Sequence, residues 1–283
     1  MYIHIGLTKK TVSALVTNKR KPMAKIIGKY IRGILGDAVL KKHGNMQLIQ
    51  AKPKKGRRTP GGKKSASLFG LASNFASEFR LGLSKLVTSC YDGTMIFRLN
   101  AEVLRSIRYA NNPDTGAFSF SEGGFESLDG FEFNIKSLLI NSLLVLPKVE
   151  LSAPVLTVSL PALEIRKDFK FPVGATSCKL LIGRTLCDLT NQRRKFDFVS
   201  FEILNKKIIT IPQSWEFETE PGCVCITAIS LQFVQSGLAG DTIINSKSFN
   251  PSAILNALVL PGAIDKLKTK SWSKTRTKKI TIV

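Results

Sequence analysis

"CVCITAISLQF", residues 223–233, contains no proline, glycine or asparagine and alternates small or polar with large apolar side chains. In an extended chain successive side chains point to opposite faces. Cys223, Cys225, Thr227, Ile229, Leu231 and Phe233 therefore share one side, and the pattern predicts a strand with a buried face. Upstream, "CKLLIGRTLC" (178–187), "KFDFVSFEIL" (195–204), "KKIITIP" (206–212) and "SWEFETEP" (214–221) follow at short intervals, separated by Pro, Gly or Asn. "PVLTVSLPAL" (154–163) sets Val158 and Leu160 opposite Thr157 and Ser159, and "GAFSFSEGGFESLDGFEFNI" (116–135) alternates aromatic and polar residues. No helix of crossover length separates these segments, which argues against a parallel sheet. The expected class is mainly β, an α+β chain whose residues 113–262 form an antiparallel Ig-like β-sandwich.

Toward the N-terminus the period changes. Leu68, Leu71, Ala72, Phe75, Phe79 and Leu83 recur at steps of three and four, which places them on one helical face with Asn74, Ser77 and Arg80 turned away. A second helix is predicted from Asn100 as N-cap through "AEVLRSIRYA", ending at "NNPDTG". Residues 65–112 are thus a helical segment.

Before it, "GDAVLKKHGNMQLIQAKPKK" (36–55) holds two short apolar runs, Ala38 to Leu40 and Met46 to Ile49. Gly44-Asn45 between them predicts a hairpin turn, and "KKGRRTPGGKK" (54–64) predicts a linker, so residues 23–64 read as a basic hairpin and linker. Residues 1–22 carry no comparable pattern, and Met23 is the expected start of the folded unit. Residues 263–283 are expected to be a basic tail.

The formal net charge of +22 sits at the two ends. Residues 1–64 hold 17 Lys and Arg against Asp37 alone, residues 263–283 hold seven against Asp265, and residues 111–262 are close to neutral with 13 against 15. A near-neutral body with cationic ends has two readings, an anionic partner met through arms or basic tails that keep the chain soluble. The expected contacts are Lys41, Lys42, Lys52, Lys54, Lys55, Arg57, Arg58, Lys63 and Lys64 at one end, with Lys274, Arg276, Lys278 and Lys279 at the other. Arg193, Arg194 and Lys195 are expected at a hairpin tip, adding to the basic surface.

Catalytic chemistry finds little support. His4 and His43 are the two histidines, both N-terminal, so a histidine-activated nucleophile in the β-rich body would need His43 to reach across. Cys223 and Cys225 project to one side of a strand, but a closed zinc site wants four S or N ligands and no further cluster supplies them. They read as small core residues, and Cys178 and Cys187 as free thiols. "GRRTPGGKKS" fails phosphate-loop spacing in either register. Glu216, Glu218 and Glu220 alternate with Trp215 and Phe217, the pattern of a half-exposed strand. No cofactor or metal is expected.

No apolar run approaches the ~18 residues that would span a bilayer. "TVSALVT" is too short for a secretory h-region and is followed by "NKRKP". Five cysteines, an odd number, fit a reducing compartment, and cytoplasmic residence is the expectation.

The segment "GKYIRGILGDAVLKKHGNMQLIQAKPKK" resembles the N-terminus of an uncharacterised domain family of Bacteroidota proteins. "FASEFRLGLSKL", "NAEVLRSIRYANNPDTGAFSF" and "ISLQF" fall in matching order, so the resemblance spans residues 23–235. Family members begin near a glycine-rich hairpin ending in a Lys/Arg-Pro-basic run, continue with amphipathic helices and finish as a β-sandwich. Here Ala51-Lys52 stands where the family has Arg-Ser before the proline, and the hairpin lacks the family's aromatic. The resemblance implies a fold and carries no catalytic residue.

The expected function is a non-enzymatic protein that binds nucleic acid or another polyanion through its basic ends without sequence specificity, its β-body serving as scaffold or homo-oligomerisation unit. The alternative is a structural component of a larger assembly, a particle shell or filament with a basic arm. An uncharacterised enzyme ranks third.

Overall fold

In the computed structural model, which describes residues 24–54, 56, 58–87, 90–238, 240–262 and 271–275, Gly28, Gly36 and Gly44 each open a two-residue turn. Each takes a positive φ, between 57° and 61°, at the first central position, where glycine carries no steric penalty. The turns join β1 (Lys25–Ile27), β2 (Tyr30–Leu35), β3 (Ala38–His43) and β4 (Met46–Ala51) into an antiparallel meander in that order. The expected hairpin is therefore the second half of a four-stranded sheet. These strands belong to one compact unit, Met1–Thr59, and the remainder of the chain to another, Pro60–Val283. The expectations for residues 1–22, for Met23, for 263–270 and for 276–283 lie outside the described residues.

Cross-strand partners share a face. Ile26 with Ile31, Leu35 with Ala38, and Leu40 with Ile49 line one face of the small sheet. Leu40 alone among them is buried, and Ile26, Leu35 and Ile49 are 78%, 65% and 66% exposed.

The second unit opens with α1 (Pro60–Gly82), five residues before the period change at Ser65. Pro60 explains the difference: its fixed φ and missing N–H suit a first helical position. The linker is correspondingly shorter, and Lys63 and Lys64 are the fourth and fifth residues of α1. A short α2 (Ser84–Val87) follows, then α3 (Met95–Ala110). The sequence predicted α3 to begin at Asn100. Asp92 moves the start forward, because its Oδ1 accepts from the Thr94 N–H at 2.7 Å and the Thr94 hydroxyl at 2.6 Å, ordering the turn that enters the helix.

The strands form two further antiparallel sheets. β5 (Lys148–Ser152), β6 (Val155–Leu160) and β9 (Gln213–Glu218) make the smaller one. The larger contains β7 (Ser177–Asp188), β8 (Arg193–Leu204), β10 (Val224–Gly237), β11 (Gly240–Ile243), β12 (Ser252–Val259) and β13 (Ser273–Lys274), in the order β11-β10-β7-β8-β13 with β12 also beside β10. The class is mainly β, as expected, with several antiparallel sheets.

β7 and β10 are buried on both faces. Cys178, Leu180, Ile182 and Leu186 of β7 join Cys225, Ile229, Leu231 and Phe233 of β10 in a core shared with Leu156, Val158 and Phe217 of the smaller sheet. Their alternates Leu181, Cys187, Val224, Ile226 and Ala228 enter a second core with Phe75, Phe79, Leu99 and Val103 of the helices. The unit is thus a layer of helices on a large sheet, with a small sheet on its other side. The helices were expected to precede the sandwich in sequence; in space they cover its back.

The stretch 116–135, expected to alternate as strand, is mostly turns with a 3-10 helix at Glu126–Leu128. Glycines at 116, 123, 124 and 130 break the extended pattern. Its phenylalanines still reach the helical core, where Phe125 is fully buried with its ring 5.8 Å from that of Phe79. The backbone here pairs along β12 through Gly130 N–H to Ile254 O, Ile254 N–H to Phe131 O and Phe133 N–H to Ser252 O, each 2.9 Å. An otherwise open strand edge is covered in this way.

Candidate polyanion-binding surface

The β2–β3 register sets Gly33 beside Leu40, so Arg32 and Lys41, their chain neighbours, stand on the opposite face. Lys25 is the cross-strand partner of Arg32 and joins them there. All three are exposed. Like charges directly opposite one another repel at a Cβ separation of roughly 5 Å, and no carboxylate among the described residues forms an ion pair with any of them. Lys29 and Lys42 flank the Tyr30 ring, their ammonium groups 5.5 and 4.7 Å from its centroid. The Tyr30 hydroxyl donates to Asn45 O at 2.8 Å, tying β2 to the third turn.

The residues singled out in the sequence distribute as follows. Lys41 and Lys42 lie on β3, while Lys52, Lys54 and Arg58 follow β4, all exposed. Lys63 and Lys64 belong to the second unit, and the Lys64 ammonium donates to Pro113 O at 2.8 Å, anchoring the start of α1. Lys274, exposed on β13, sits opposite Arg193 of β8, so this part of the expected tail is sheet. Lys55, Arg57, Arg276, Lys278 and Lys279 lie outside the described residues. Lys25, Lys29 and Arg32 were missed, and the signal for them was the eight-residue recurrence of Gly28, Gly36 and Gly44.

Arg193 and Arg194 follow the β7–β8 hairpin turn, as expected, but do not add to the basic surface. Arg193 is 8% exposed, donates to Asp188 Oδ2 at 2.8 Å and stacks its guanidinium 5.0 Å from the Trp272 ring centre. Arg194 pairs with Glu78 of α1, a carboxylate 4% exposed. Strand alternation directs these side chains onto acids in the fold, and they hold the β7–β8 turn and the helix layer in place.

Other titratable groups act structurally. The Asp92 carboxyl is pushed up by burial, but hydrogen bonds from Thr94, Ile135 and Arg98 outweigh this and hold it well below the usual carboxylate range. Burial raises Glu132 to about 7, opposed by the Leu139 N–H and by Arg98. All five cysteines are free thiols. Cys178 and Cys187, at opposite ends of β7, face different cores. Burial pushes Cys187 and Cys225 up to about 12, and Cys223 rises for the same reason. Among the described residues no group of three His, Cys, Asp or Glu side chains is placed to hold a metal ion. Among them too, no helix is long and apolar enough to cross a membrane.

Compared with known family models, curated proteins and solved structures, the chain matches none.

Proposed function

We propose that the protein binds nucleic acid or another polyanion through the basic N-terminal unit, without reading sequence, and acts as a binding protein rather than an enzyme. The observation that carries this is Lys25 set directly opposite Arg32, with Lys41 on the same face and no pairing carboxylate among the described residues. A phosphate backbone removes that repulsion and releases its own counterions. Lys52, Lys54 and Arg58 continue the cationic track from the end of β4.

The test is fluorescence anisotropy of labelled duplex DNA and single-stranded RNA over a salt series. With ~6 phosphate contacts, log affinity falls against log salt with a slope of about −5 on duplex. Replacing Lys25, Arg32, Lys41 and Lys42 by Gln lowers the slope magnitude by about 3 to 4. Absence of binding to either nucleic acid and to heparin at low salt overturns the proposal.

A component of a larger assembly is the second reading. Ile26, Leu35 and Ile49 on the other face of the same small sheet favour it, because an exposed apolar sheet face is a surface for self-association. Light scattering of the purified chain separates the two: a large discrete particle supports assembly, a monodisperse small species does not.

A further inference from the structure

Between α1 and the start of α3 lies a cleft of about 550 Å³, within the ~300–1,000 Å³ of small-molecule sites. Buried Val87, Met95 and Phe133 form its apolar floor, and Leu81 and Ile96 stand at its rim. Ser77, Arg80 and Leu81 recur at helical spacing along the α1 wall, Ser84 of α2 adjoins them, and Tyr91 lies opposite on the segment entering α3.

Arg80 is out of place on such a wall. Among the described residues its guanidinium makes one long hydrogen bond, 3.5 Å to Asn100 Oδ1, and no carboxylate pairs with it. Of the nearby acids, Glu78 pairs with Arg194, Asp92 with Arg98 and Glu102 with Arg105, and Glu132, beside Phe133, accepts from the Leu139 N–H and forms no ion pair among the described residues. Burial draws the guanidinium below its ordinary range, partly offset by Tyr91. A half-buried cation on an apolar wall is stabilised by an anion that brings its own apolar surface.

We infer that this cleft binds an amphipathic organic carboxylate, its head on Arg80 and its apolar body over Met95, Val87 and Phe133. The guanidinium fork matches a carboxylate with two parallel N–H donors. The site is independent of the basic N-terminal sheet and of polyanion binding.

Titration calorimetry of the full chain with decanoate, and with decanol as the uncharged control, both at submicellar concentration, tests the assignment. The wild-type chain takes up decanoate saturably and more tightly than decanol. Arg80→Met lowers decanoate affinity about tenfold or more, the loss of one charge-assisted contact, and leaves decanol within about twofold. Ile96→Glu, which sets a carboxylate at the mouth, abolishes decanoate uptake. Unchanged decanoate binding by Arg80→Met, equal wild-type affinity for decanol, or no saturable uptake overturns the assignment. Should Arg80→Met lack a cooperative melting transition, retained decanoate uptake by folded Ile96→Glu overturns it alone.

Discussion

Gly82, at the end of α1, lies so close to Thr185 of β7 that a Cβ built on the glycine would overlap the Thr185 hydroxyl. This contact sets the depth at which the helix layer rests on the large sheet. Thr185 is fully buried and does not swing away. Gly82→Ala removes an unfavourable helix glycine, a gain of about 1 kcal/mol in an exposed helix, yet forces a methyl into a filled interface, which costs about 1–3 kcal/mol or more. The net expectation is destabilisation, read as a lower denaturant midpoint. Gly82→Ala with Thr185→Ala recovers part of the loss, and strict additivity of the two would contradict the contact.

The Glu78–Arg194 pair joins the same two layers. Arg194→Met takes the guanidinium away from a carboxylate that is 4% exposed, and such a break typically costs about 3–5 kcal/mol. Glu78→Met with Arg194→Met together returns most of that stability, since an apolar pair of similar volume is a common substitute for buried charge. Urea melts of the three variants check this. A single variant as stable as wild type would show that the pair contributes nothing.

Glu132 gives stability a pH dependence of definite sign. Its carboxyl titrates at about 7 in the folded protein against 4.5 for an ordinary glutamate. Between these values the native state holds the proton more tightly, so this group's contribution falls as pH rises from about 4.5 to 7. Asp92 acts in the opposite sense at lower pH, because its depressed carboxyl loses stability only on acidification. Glu132→Gln keeps an acceptor for the Leu139 N–H, which the wild-type Oε1 meets at 2.9 Å. The variant melts higher than wild type at pH 8, and the difference shrinks toward pH 5. A constant difference across that range would place the titration elsewhere.

The thiols divide by burial. Cys178, Cys187, Cys223 and Cys225 are buried and Cys90 is half-exposed. One equivalent of a thiol reagent is expected to react rapidly with the native protein, at Cys90, and the other four only on unfolding. Rapid reaction of Cys223 or Cys225 would contradict the packing of β10.

Strands β7, β8 and β10 of the large sheet were legible because they are rich in apolar and β-branched residues and bounded by Pro, Gly and Asn, whereas β11, β12 and β13 were not read as strands. The same segments carried a second message that was harder to read. Leu180-Leu181-Ile182 is apolar without interruption, the mark of a strand buried on both faces, and it marks the place where the helices cover the sheet. The phenylalanines of 116–135 mimicked a strand because aromatic spacing survives in a turn-rich segment. At the N-terminus the three glycine turns were present in the sequence, but β1 spans three residues and Arg32-Gly33 interrupts the apolar residues of β2, so neither stood out as a strand. Lysines and arginines were the least legible, because composition does not separate an exposed cation from one held by a carboxylate distant in sequence. Arg194 and Glu78 are 116 residues apart.

That distinction makes the basic residues testable as two classes. Lys25, Arg32, Lys41, Lys42, Lys52 and Lys54 are exposed, without ion pairs to described carboxylates, and each replacement by Gln is expected to lower the salt slope of nucleic-acid binding by up to about one. The melting temperature should stay within about a degree, since exposed substitutions typically shift stability by less than ~0.5 kcal/mol. Arg193→Gln and Arg194→Gln act in reverse, lowering the melting temperature and leaving the slope as it was. Lys64 lies between the classes, because its ammonium is exposed yet donates to Pro113 O, and Lys64→Gln is expected to change both by small amounts. Should the Arg193 and Arg194 variants flatten the salt dependence while the β1–β3 variants do not, the binding surface belongs to the sheet edge near β8 and not to the N-terminal unit.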